Sequence, residues 1–220
     1  MIKMLLKALA RISLCLAFVL SGLMVCIHVP FVTESLSRQT SAAAQFDVAP
    51  DTMVKASLAA RDFALGTIGS EGLSSTLESL GLPADGLDTS MLTHLQDCTW
   101  VFNAVTFLFV VLALVALAFL VLTGIFEGAE DVSAILWQSA LLAILVVVVF
   151  AFWFIANFEG FFTWIHSLVF QAGTWTFSAD SLLISMFPEQ FWREMGIVWG
   201  GSSIVFSIVA IIVSKSVAGR

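Results

Sequence analysis

The chain has 220 residues, 60% hydrophobic and 11% charged, with a net charge of −7 and a mean hydropathy of +1.02. A soluble globular domain carries roughly 25% charged residues, so the composition excludes one and points to an all-α membrane protein. The acidic balance excludes the basic footprint that nucleic-acid binding needs.

The first element is the apolar run Leu9 to Val29, with Lys3 and Lys7 ahead of it and Arg11 at its start. It reads as a retained anchor. Its apolar part is longer than a signal-peptide core, and "CIHVPFV" offers no clear small-residue cleavage site. Residues 1–30 are therefore expected to hold the N-terminal cytoplasmic end and transmembrane helix 1. His28, beside Pro30, reads as structural. Cys15 and Cys26 read as small buried hydrophobes. Together with Cys98 they form neither a metal motif nor a disulfide framework.

Residues 31–100 are expected to form a small extracytoplasmic cap between spans 1 and 2, too short to bury a large core alone. Within it "PDTMVKASLAARDFALG" reads as a helix capped by Asp51 and stopped by Gly66, with Leu58, Ala59 and Phe63 on its buried face. "GTIGSEGLSSTLESLGLPADGLD" reads as loops around one short helix. A new helix starts at Asp88 or Ser90 and runs through "MLTHLQDCTWVFNAV" into span 2, residues 101–123.

A cytoplasmic loop (124–133) leads to span 3 (134–156). An extracytoplasmic segment with His, Trp and Asp (157–195) precedes span 4 and a cytoplasmic tail (196–220). Each run approaches the ~20 residues that cross a bilayer as a helix, and backbone amides in lipid must be paired internally. The expected fold is a four-transmembrane-helix bundle. Lys3, Lys7 and Arg11 before span 1, with Lys215 and Arg220 after span 4, place both termini on the cytoplasmic side. "WGGSS" in span 4 reads as a close helix contact. No ionisable residue lies in 101–123 or 134–156, which argues against a transport pathway.

His94 lies seven residues before Val101, roughly 10 Å outside the hydrocarbon if the helix is continuous. His166 belongs to the same outer side. Two imidazoles near the headgroups can act as general base and general acid. Asp97 is three residues from His94, on one helical face, and Asp180 shares a segment with His166. A carboxylate accepting from one ring nitrogen would set the tautomer. Other readings stay open: a histidine that only makes surface hydrogen bonds, a solvated Asp97, and tryptophans that only mark the membrane interface. Zinc accepts such ligands, but there is no HExxH pair, and no metal is expected. The absence of a serine elbow, P-loop or dinucleotide fingerprint leaves no cofactor expected either.

The stretch "FFTWIHSLVFQAGTWTFSADSLLISMFPEQFW" resembles the signature of a bacterial four-span integral membrane family: an aromatic-flanked His, W-x-F, an Asp before Leu and Ile, and a closing F-P-E-x-F-W. "LTHLQDC" resembles the family's second motif, His-Leu-x-Asp. The family includes the lipoprotein intramolecular transacylases, Lit. This chain departs from it at Met91, Leu92 and Thr93, where an acidic residue often stands, and at Cys98 and Thr99, where Val and a basic residue often follow. The resemblance implies transfer of the sn-2 acyl chain of a diacylglyceryl lipoprotein to the α-amine of its N-terminal cysteine. Membrane lipids and lipoproteins would then be its partners. It further implies His94 as base, positioned by Asp97, with His166 stabilising the oxyanion or protonating the leaving alkoxide, or the two roles exchanged. Trp175, Phe187 and Trp192 would wall the site, and Asp180 would orient the loop or His166. The rival readings are a non-catalytic membrane scaffold of the same fold and a lipid-ester hydrolase.

Overall fold

The computed structural model describes residues 2–83 and 86–218. Arg220, used above for orientation, and Ala84 and Asp85 of the cap loop lie outside the described residues. Among these residues there is no strand. The helices are α1 (Ile2–His28), α2 (Pro30–Thr40), a 3-10 turn (Ala43–Phe46), α3 (Pro50–Ala64), α4 (Ser70–Ser79), α5 (Thr89–Phe126), α6 (Ala129–Ala156), α7 (Phe158–Val169), α8 (Leu182–Met186) and α9 (Glu189–Ala218). Four of them, α1, α5, α6 and α9, are long and apolar enough to cross a membrane.

The chain divides into two compact units. The first comprises Met1–Val25, Val105–Ala156 and Val198–Arg220. Its helices turn apolar side chains outward: Phe152 and Ile155 are 75% and 78% exposed. Small hydroxyl residues lie inside, among them Ser139, Ser203 and Ser207. The tightest contact is between α1 and α9. A Cβ on Gly22 would collide with the Trp199 carbonyl and the Ser203 hydroxyl, while Trp199 Nε1 and Ser203 Oγ both donate to the Val19 carbonyl at 3.0 Å. The close approach therefore rests on Gly22 rather than on the glycines of "WGGSS": Gly200 has only an ordinary contact with Val147, and Gly201 has none. Lys7 pairs with Glu127 and, at 3.0 Å, with Asp131, so the acidic loop between α5 and α6 finds its cations on α1. Arg11 Nε donates to Gln138 at 2.6 Å.

The second unit comprises Cys26–Ala104 and Asn157–Ile197. It draws on both outer segments. Its core holds Met53, Ala56, Ala60, Leu73 and Leu77 together with Leu182 and Met186. α3 begins with Pro50 in its first turn after Ala49, with no side-chain cap. Asp51 is not the cap; it sits inside the first turn and pairs with Arg38, because the proline takes the first helical position where its missing N–H costs nothing. Gly66 follows the helix at φ +70, as expected of a left-handed stop. Ala59 and Phe63 are buried as expected, whereas Leu58 is half-buried. Ser57, fully buried, accepts from Ser37 Oγ at 2.8 Å and donates to Met53 O at 2.9 Å.

Candidate active site

The site is built from the first turns of α5, from α7 and from the loop that follows α7, all within the second unit. α5 starts where Asp88 accepts from Met91 N at 2.9 Å and Ser90 Oγ at 2.6 Å. Its 38 residues extend about 57 Å, nearly twice a ~30 Å hydrocarbon core. His94 lies in its second turn. α7 starts at Asn157, whose side chain accepts from Gly160 N at 2.9 Å. A side chain at 160 would displace that capping amide. Two and a half turns later α7 presents His166.

The two histidines come together. Their ring centroids are 6.4 Å apart and the planes differ by 25°. Phe170 touches both, at 4.7 Å from His94 and 5.4 Å from His166. Phe177 lies 5.4 Å from His94. Phe162, one turn before His166, stacks on it at 3.8 Å, and Trp175 lies 4.9 Å from it. The imidazoles thus share an aromatic cage.

The cage sets their charge. Burial, with His166 nearby adding to it, lowers the His94 pKa to about 4 against the opposing pull of Asp97. Burial also lowers His166, opposed by its bond to the Phe162 carbonyl. Both are neutral at pH 7. A neutral imidazole has one donor and one acceptor nitrogen. Since a carbonyl can only accept, the 2.8 Å contact between His166 Nδ1 and Phe162 O puts the proton on Nδ1 and leaves Nε2 as a bare acceptor. His94 Nε2 lies 3.8 Å from Cys98 Sγ. Its Nδ1 is buried without a hydrogen-bond partner.

The expected orienting carboxylates do not take part as hydrogen-bond acceptors. Asp97 acts on His94 through its charge alone. The side chain one full turn along the helix, Cys98, is the one that meets the ring; burial pushes its thiol up to about 12. Asp180 is exposed and accepts from Ser178 within its own loop, while His166 is oriented by main chain. Trp175 lies in the cage. Trp192 flanks it, 6.1 Å from Phe162, and donates from Nε1 to Phe187 O at 3.2 Å. Phe187 packs against the unit's core. The residues that sequence reasoning missed are Phe162, Phe170, Phe177 and Cys98. Three of them had a signal: Phe162 and Phe170 lie four residues either side of His166, and Cys98 four after His94, the spacing that shares a helical face. Among the described residues no group of three or more His, Cys, Asp or Glu gathers to hold a metal.

A family profile described as Lipoprotein intramolecular transacylase Lit matches residues 73–192, more than half of the chain, with both histidines inside the match. Among solved structures, the membrane integral lipoprotein intramolecular transacylase Lit from Bacillus cereus is 14% identical, covers 99% of this chain and 96% of its own, and superposes with a TM-score of 0.82. Two further structures of that protein, with one histidine replaced by arginine or by alanine, have TM-scores of 0.79 at 14% identity and cover 92% and 94% of their own chains. At this identity the likeness establishes the fold. No curated protein matches by sequence. The chain belongs to the Lit family of lipoprotein intramolecular transacylases: it is a multi-pass membrane protein and an enzyme acting on lipoproteins.

Proposed function

We propose that this Lit-family enzyme moves the sn-2 acyl chain of a diacylglyceryl lipoprotein to the α-amine of its N-terminal cysteine by acid–base catalysis on His94 and His166. The observation that carries the reading is the pair of neutral imidazoles in one aromatic cage, each with a ring nitrogen that no neighbouring oxygen occupies. The substrate holds both reactants, so the protein has only to orient them, and orientation alone can supply roughly 7–11 kcal/mol of the barrier.

The steps balance as follows. The amine nitrogen attacks the ester carbonyl carbon, a new N–C bond forms, and the carbonyl π pair moves onto oxygen. His94, uncharged because burial holds its pKa to about 4, takes the proton that the attacking nitrogen sheds. The tetrahedral intermediate collapses, the bond between the acyl carbon and the glyceryl oxygen breaks, and the leaving alkoxide takes the proton held by the imidazolium. Amide and lyso-glyceryl hydroxyl are the products, and no acyl group is left on the protein. The roles of the two histidines are interchangeable in this scheme. Asp97 steadies the imidazolium that forms transiently on His94 by charge. Trp192 and Phe187 wall the entry. The position of His94 ahead of the span on α5 supports a site at the level of the lipid ester groups, on the extracytoplasmic side with both termini cytoplasmic.

Mass spectrometry of lipoprotein N-terminal peptides tests the reading, in a bacterium lacking its usual N-acylating enzyme. Wild type should yield N-acyl, lyso-glyceryl peptide, and His94→Ala and His166→Ala should not. Unchanged diacylglyceryl peptide despite confirmed membrane expression of wild type would overturn it.

A further inference from the structure

The cage contains a second buried polar atom without a partner: Trp175 Nε1. An indole N–H can only donate, and a buried donor left unpaired is costly, so native structures rarely keep one. Two other indoles in this protein follow the rule. Trp192 donates to Phe187 O at 3.2 Å and Trp199 to Val19 O at 3.0 Å. Trp175 is given no acceptor. The turn before it is closed by Thr174 N and Oγ1 donating to Gln171 O at 3.2 and 2.9 Å, with Gly173 at φ +85. The ring is fixed against His166 at 4.9 Å and Phe162 at 6.4 Å. An acceptor oxygen arriving with the substrate would complete it, in the cage where the two imidazoles lie.

We propose that Trp175 is a catalytic residue, whose indole N–H donates to the ester carbonyl oxygen and holds it as that oxygen gains negative charge. This rests on the transacylase reading and sharpens it. The proton stays on the indole nitrogen throughout, and no bond to Trp175 forms or breaks. With the oxyanion served by a neutral, fixed donor, the imidazole that took the amine proton is free to return it to the glyceryl oxygen. A pre-aimed donor in a water-poor cage contributes most when the charge is on the oxygen, not before.

The test removes the N–H and keeps the ring. Full-length protein in lipid nanodiscs, with a synthetic diacylglyceryl lipopeptide as substrate, is compared as wild type, Trp175→Phe, and with benzothienylalanine at position 175, which keeps the indole shape without its donor. The expected result is a kcat lowered by about 10²-fold in both variants, with KM within about threefold. A benzothienylalanine enzyme with unchanged kcat would overturn the proposal, and so would a raised KM with unchanged kcat. Wild type that transfers no acyl chain would tell against the transacylase reading instead. The donor is then judged by the ¹⁵N–¹H indole resonance of Trp175, assigned by its absence in Trp175→Phe, on adding hexadecylphosphonate as an oxyanion mimic. A downfield shift confined to that resonance supports the donor, and an unmoved resonance overturns it.

Discussion

The two units solve opposite solvation problems with one chain. In the first, Phe107, Phe152 and Ile155 point outward while Ser133, Ser139, Ser203, Ser207 and Ser214 are buried. In the second, Met53, Leu73, Leu77, Leu182 and Met186 are buried while Asp51, Lys55, Glu71 and Glu78 are exposed. The first has the pattern of helices packed by small and hydroxyl side chains in lipid; the second has the pattern of a domain packed in water. All three histidines of the sequence, His28, His94 and His166, fall in the second unit. The acid–base chemistry therefore belongs to the water-type unit, which then buries two of its imidazoles among phenylalanines. The difference teaches that the apolar setting of the site is made locally by the cage.

The sharpest test of this division is His94→Gln. Acyl transfer should fall by about 10²–10⁴-fold, while membrane insertion and the melting of the first unit stay unchanged; a variant that no longer inserts would break the division. Next comes Leu73→Ala at a fully buried position. It should cost about 2–5 kcal/mol, and hydrogen exchange should rise through α3 and α4 while α6 remains protected. Gly22→Val strikes the other unit. Pushing a side chain against Trp199 and Ser203 should cost about 1–3 kcal/mol, lowering the detergent melting temperature while activity per folded molecule is kept.

The smallest effect is that of acid. His94 is lowered in the fold from the ordinary 6.5 to about 4, so the unfolded chain binds its proton first. The stabilisation is complete above pH 6.5, declines as pH falls toward 4, and is gone below that. Hydrogen exchange at pH 4.5 should thus loosen the second unit relative to pH 7 and leave the first, which has no histidine, unchanged by this route.

The four spans were legible because an uninterrupted apolar run has one physical solution in lipid. The start of α5 at Asp88 was legible from the acidic residue before the apolar pattern. The joining of His94 and His166 was not available from spacing; they are far apart in sequence, and only the family resemblance put them in one site. Asp97 illustrates the limit of a three-residue rule. Its shared helical face is real, but three and four residues are equally plausible partners on a helix, and the ring of His94 reaches Cys98. Asp180 shows the same for loops, where proximity in sequence sets no direction and the nearer hydroxyl of Ser178 takes the carboxylate.

The cap of α7 has a consequence for how this segment can vary. Asn157 fixes where the helix begins, and each residue after it turns the chain by about 100°. The azimuth of His166 is therefore a count from residue 157, and Phe162 and Phe170 keep phase with it at intervals of four. Replacing the exposed Thr163 or Ser167 leaves that count intact. Adding or deleting a single residue between Phe162 and His166 would rotate the imidazole out of line with Trp175, however conservative the inserted side chain. In this stretch evolution is free to change letters but not the length of the word.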